Sequence, residues 1–108
     1  MQALISVSPA PTAIFAANNI LAEACLTVFA DRGLQVPEDI SLVAFDDIKW
    51  MSIKKPLITT VNQPIAEMAR SAAELLLKRM QTLDGHPPSR MVYQPTLLIR
   101  ESVAACPT

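Results

Sequence analysis

The sequence predicts an α/β fold, a parallel sheet with flanking helices. Short β-branched apolar runs alternate with longer periodic stretches, the arrangement of successive β-α-β units. The runs lack the polar alternation of a half-exposed strand, as suits strands buried on both faces. Each helical stretch is bounded by an asparagine able to cap it and by Gly or Pro beyond its end.

Pro9 and Pro11 hold off regular structure ahead of the first strand, residues 12–17, which reads Thr-Ala-Ile-Phe-Ala-Ala. Asn18 or Asn19 can then cap a helix that runs to about Arg32, where Gly33 supplies the left-handed residue that ends it. Glu23, Thr27 and Asp31 form the only polar stripe on this helix. One sheet cannot use so much apolar surface. Burial under other parts of the domain accounts for the excess, and so does a subunit interface.

After a turn over 36–39, a second strand is expected at 40–45, apolar except for Ser41 and ending at Asp46 and Asp47. A short segment carrying Ile48, Trp50, Met51 and Ile53 leads to Pro56 and a third extended run at 57–61. The longest helix is expected from Pro64 to Leu83, capped by Asn62 and stopped before Gly85, Pro87 and Pro88. Ile65, Met68, Ala72, Leu75, Leu76 and Met80 share one of its faces; Glu67, Arg70, Glu74 and Lys78 share another. A last strand over 91–99, broken at Pro95, runs into a polar tail of Arg100, Glu101 and Ser102.

With 108 residues and 51% apolar content, the chain suits one small domain with a real core. Nine basic against ten acidic side chains give a formal charge of -1, so these residues offer no electropositive field to a phosphate backbone. Cys25 and Cys106 lie far apart, without the neighbours of a zinc site, and are read as reduced thiols; no metal is expected. No apolar run is long enough to span a bilayer, and the start of the chain lacks a signal-peptide pattern.

Two residues stand where chemistry is expected. Asp46 follows the C-terminal end of an apolar strand, where open α/β sheets hold ligands, and a carboxylate there accepts charge-assisted hydrogen bonds from vicinal hydroxyls or an N–H donor. Capping of the next segment asks for the same residue type at Asp46 or Asp47. Asn18 follows the first strand, with an amide suited to a sugar hydroxyl or a purine edge; helix capping is again the rival role. Catalysis has little support. His86 lies in a Gly-His-Pro-Pro turn, and Gly33 and Gly85 are the only glycines, too few for a phosphate-cradling loop; no cofactor is expected.

Three ordered segments, Pro11-Thr12-Ala13-Ile14-Phe15-Ala16-Ala17-Asn18-Asn19, the run from Gly33 through Val36-Pro37-Glu38-Asp39-Ile40 to Ala44-Phe45-Asp46-Asp47, and Leu57-Ile58-Thr59-Thr60-Val61-Asn62-Gln63-Pro64, resemble the LacI/GalR family of transcription regulators. The closing Arg100-Glu101-Ser102 resembles that family's usual end.

The resemblance implies a periplasmic-binding-protein-like fold of two lobes with an effector in the cleft, of which this chain is part of the C-terminal lobe. It assigns residues 12–62 to β-α units of that lobe, 63–85 to a helix packed on an N-terminal lobe outside this sequence, and 90–102 to the final strand. Five large apolar residues left uncovered on that helix would forfeit roughly 10 kcal/mol of burial. The implied function is sensing of a small metabolite, a sugar or derivative, by a cytoplasmic homodimer that binds operator DNA through a separate N-terminal headpiece.

Asp46 is implied as a recurrent effector contact, with Asn18 and, more weakly, Asn19 and Ile65 beside it. Ala22, Leu26, Trp50 and Ile53 fall in the region implied for the dimer interface, although the Trp50 indole also suits a sugar face. Asn19 stands where the family most often has Asp, and Ala44 where it has Gly; the first difference puts the effector class in doubt. A solute-binding protein of a sugar transport system shares the fold and is the second reading.

Overall fold

A computed structural model describes residues 2–81 and 87–106. The chain divides into two compact units, Met1–Asn62 with Thr96–Thr108, and Gln63–Pro95. His86, Gly85 and the expected end of the long helix at Leu83 lie outside the described residues.

The first unit is the α/β part. A four-residue helix α1 (Gln2–Ile5) precedes the two prolines, where no regular structure was expected, and Ile5 packs against the core. Strand β1 (Ala13–Ala16), helix α2 (Asn19–Arg32) and strand β2 (Ser41–Phe45) follow. A single 3₁₀ turn (Lys49–Ser52), strand β3 (Thr59–Asn62) and strand β4 (Thr96–Leu98) complete it. The sheet order is β1-β2-β3-β4, parallel between the first three strands and antiparallel between β3 and β4.

Local chemistry bounds α2 as the sequence predicts. Asn18 is extended and caps the first turn, while Gly33 sits at φ 67° and donates back to Ala30; Leu34 then donates to Phe29 at 2.9 Å. That double closure needs the left-handed residue glycine supplies. Only one face of α2 is buried, through Ala22, Cys25 and Phe29 at i, i+3 and i+7. Ile20 is 72% exposed and Leu21 is exposed as well, so burial within this unit does not account for the apolar excess.

The core lies between α2 and one face of the sheet: Ile14 and Ala16 from β1, Leu42 and Ala44 from β2, and Ile40, Met51 and Ile58 from the connections. Each large side chain buried there contributes about 1.5 to 3 kcal/mol. The expectation that β1 is buried on both faces does not hold. Ile14 and Ala16 are buried but Ala13 and Phe15 are exposed, because α2 covers only one face of this strand. An apolar run without alternation does not reveal how many layers cover it.

Within the polar tail, Ser102 forms a buried clasp. The Ser102 hydroxyl donates to the Leu42 carbonyl at 2.5 Å and accepts the Thr59 N–H at 2.8 Å. The Leu42 N–H donates to the Ser102 carbonyl, and the Ser102 N–H to Leu57. Ser102 thus fills the gap between the start of β2 and the approach to β3, and every polar group it buries is paired, as burial requires.

The second unit consists of helix α3 (Ile65–Gln81) and the segment that follows it. Glu67 in the first turn and Lys78 and Arg79 in the last complement the helix dipole. None of its residues is buried; Met68, Leu76 and Met80 are exposed. The last strand is shorter than expected, because only Thr96–Leu98 beyond Pro95 pairs with β3.

Candidate functional site

Parallel pairing brings the C-terminal ends of β1, β2 and β3 to one edge of the sheet. Ala16 is level with Ala44, so Asn18 and Asp46, each two residues further on, leave the sheet side by side from strands about 4.8 Å apart. Val61 is level with Phe45, which puts Asn62 at the same edge. Open α/β sheets hold their ligands outside this edge, because strand ends and helix N-termini converge on it.

Asn18 carries out the capping role: its Oδ1 accepts the Leu21 N–H at 2.8 Å. With the oxygen committed, the amide N–H₂ is what Asn18 can offer an incoming group, a donor more than an acceptor. Asn19 is turned to the same helix end, its Oδ1 accepting the Ile20 N–H at 3.0 Å.

Asp46 is half-buried and has φ 71°, the only non-glycine residue with positive φ among the described residues. Asp tolerates this left-handed backbone better than most residues, yet such positions persist only where neighbours over-determine them. One constraint is its own N–H, which donates to the Val61 carbonyl at 3.0 Å.

The next residue takes a different part. Asp47 forms a two-pronged ion pair with Arg100, Nη1 to Oδ1 at 2.6 Å and Nη2 to Oδ2 at 2.9 Å, and accepts the Thr60 hydroxyl at 2.9 Å. The Arg100 guanidinium holds the Asp47 carboxyl below its ordinary value; burial works against this and the Thr60 hydroxyl supports it. Asp47 is committed to Arg100 and Thr60, whereas Asp46 takes no part in that pair. The sequence placed Arg100 in a polar tail and gave it no partner. The one signal for it was a cation set directly after a strand that ends beside paired carboxylates.

Ile65, the remaining weak candidate, is the first residue of α3 in the second unit and is exposed. The expected interface residues divide. Ala22 is fully buried beneath α2 and presents nothing to a second subunit, a correction that follows from its place on the core face of the helix. Leu26 and Trp50 line a surface groove of about 530 Å³ with Glu23, Thr27 and Lys54, and Ile53 is 63% exposed. A second cleft, of about 870 Å³, lies at the opposite edge of the sheet between Phe29, Leu34, Lys55 and Glu101, away from Asn18 and Asp46.

Among the described residues no group of three or more His, Cys, Asp or Glu side chains is placed to hold a metal ion. No helix there is long and apolar enough to cross a membrane.

The sheet order and the capped helix define an open, mostly parallel α/β unit. Residues 1–103 match the family model described as periplasmic binding protein-like domain, and the chain belongs to that family. Its relatives and structural neighbours are LacI-type regulators. The chain is 34% identical over 105 residues to the HTH-type transcriptional repressor PurR of Haemophilus influenzae, a match covering 95% of this chain and 31% of that repressor. A LacI family regulator of Enterococcus faecium solved with bound ribose superposes with a TM-score of 0.76 at 32% identity, covering 86% of this chain and 34% of the other. The CelR–cellobiose complex does so with a TM-score of 0.76 at 38% identity, covering 84% and 28%. The chain therefore spans about a third of the length of the relatives it matches.

Proposed function

We propose that this chain is the effector-binding portion of a LacI-type transcription regulator, acting by binding and not by turnover. Its parent senses a small polyhydroxylated metabolite in the cytoplasm, pairs as a homodimer, and reaches operator DNA through a headpiece beyond these residues. The observation that carries this reading is the juxtaposition of Asn18 and Asp46 at the C-terminal edge of the parallel strands. An amide donor beside a carboxylate acceptor matches adjacent hydroxyl groups, each of which both donates and accepts. The ribose and cellobiose held by two structural neighbours support a sugar as the ligand class.

Residues 63–85 belong to the other lobe's packing in this reading, and Ile65 meets the ligand at the crossing. Leu26, Trp50 and Ile53, together with the exposed Ile20 and Leu21 of α2, supply the subunit contact. Effector control then requires that the ligand bind the two lobe arrangements with different affinity.

Calorimetric titration of the intact regulator with D-ribose and cellobiose tests the proposal. One sugar should bind the native protein, and Asp46→Ala should abolish that binding while leaving cooperative unfolding in place. Unchanged affinity in Asp46→Ala would remove Asp46 from the site.

A further inference from the structure

The geometry points to Arg100 as a positioning residue for Asp46, acting through Asp47 and Thr60 from a distant part of the chain; the assignment rests on reading Asp46 as an effector contact. Asp46 holds a left-handed backbone, and such a conformation in a residue with a side chain needs restraint on both sides. On one side is the hydrogen bond from its N–H to Val61. On the other is the carboxylate of the next residue, fixed by both arms of Arg100 and by the Thr60 hydroxyl.

Arg100 is itself immobilised before it reaches Asp47. Its Nη1 also donates to the Ile58 carbonyl at 2.8 Å, its backbone N–H donates to the Thr59 hydroxyl at 2.9 Å, and the next two residues donate from their backbone to Leu57. The guanidinium therefore links the position of β3 to the turn after β2 through Nη1 and Nη2. The two side chains are only 15% and 19% exposed, so water competes weakly for the pair. A planar fork is required for this, since one ammonium cannot fix both carboxylate oxygens.

The inference predicts that loosening the clasp changes the backbone of Asp46 before it unfolds the domain. Arg100→Lys keeps the charge and removes the fork; Thr60→Val removes one hydrogen bond at nearly constant shape. Isotope-edited NMR of the full chain reads the strong intraresidue amide-to-Hα cross-relaxation that marks positive φ at Asp46. It should be present in the native protein and weakened in both variants, with dispersed spectra elsewhere. In the intact regulator, affinity for whichever of D-ribose or cellobiose binds should fall about tenfold, a change of about 1.4 kcal/mol. Retention of the positive-φ signature in both variants overturns the assignment. Loss of the signature with unchanged sugar affinity upholds the positioning and overturns the effector role of Asp46 instead.

Discussion

Arg100 grips Asp47 across 53 residues of sequence, each nitrogen of its fork meeting one carboxylate oxygen at 2.6 and 2.9 Å. The pair ties the segment after the last strand to the turn after β2. Because the Asp47 carboxyl is held below its ordinary value of 3.8, the folded protein keeps this charge at pH values where the unfolded chain has taken up a proton. The contribution to stability is complete above 3.8 and is lost as pH falls below it toward the folded value. Urea unfolding across that acid range should show a steeper loss for the native protein than for Asp47→Asn. At neutral pH, Arg100→Met should cost about 3 kcal/mol, since it strands a mostly buried carboxylate.

Ser102 makes a similar prediction without charge. Its hydroxyl serves the Leu42 carbonyl and the Thr59 N–H at once, in a position with no access to water. Ser102→Ala strands both groups and should cost about 2 kcal/mol in urea unfolding, against about 0.5 kcal/mol or less for an exposed serine. An equal and small cost at Ser52, whose hydroxyl meets the Lys49 carbonyl at the surface, and at Ser102 would show that the clasp does not hold.

Features set by local chemistry were legible in the sequence, and features set by distant partners were not. The bounds of α2 follow from Asn18 and Gly33, each of which acts within its own turn. The edge occupied by Asn18 and Asp46 follows from strand direction alone. By contrast, nothing near Asp46 and Asp47 distinguishes two adjacent carboxylates; the distinction comes from Arg100, which arrives through tertiary structure. The exposure of Phe15 was hidden as well, because an apolar strand reads alike whether one face of it is covered or both. Ala22 was expected at the interface from the family resemblance alone, and an almost uniformly apolar helix gave no pattern to show that this residue turns inward.

Asn18 combines a structural and a proposed binding role on different atoms, so the two separate by substitution. Asn18→Asp keeps the oxygen that accepts from Leu21 and places a negative charge at the positive end of α2. Stability should be equal or a few tenths of a kcal/mol higher, while sugar binding by the intact regulator should be lost with the amide donor. Asn18→Ala removes both atoms and should cost about 1 kcal/mol of stability as well. Retained binding in Asn18→Asp with binding lost in Asn18→Ala would mean that Asn18 contributes only its cap.

Asp46 provides the complementary test, in which backbone and side chain are separated. At φ 71° a glycine is free of strain, and its gain in the folded state is offset by the extra freedom it adds to the unfolded chain. Asp46→Gly should therefore leave thermal unfolding nearly unchanged. Asp46→Val forces a β-branched residue into the same conformation and should cost about 1 to 3 kcal/mol. If the carboxylate serves the ligand, both variants lose sugar binding although only Asp46→Val is destabilised on heating. A stable Asp46→Gly protein that still binds its sugar would assign the left-handed turn to folding alone and leave Asp46 without a part in recognition.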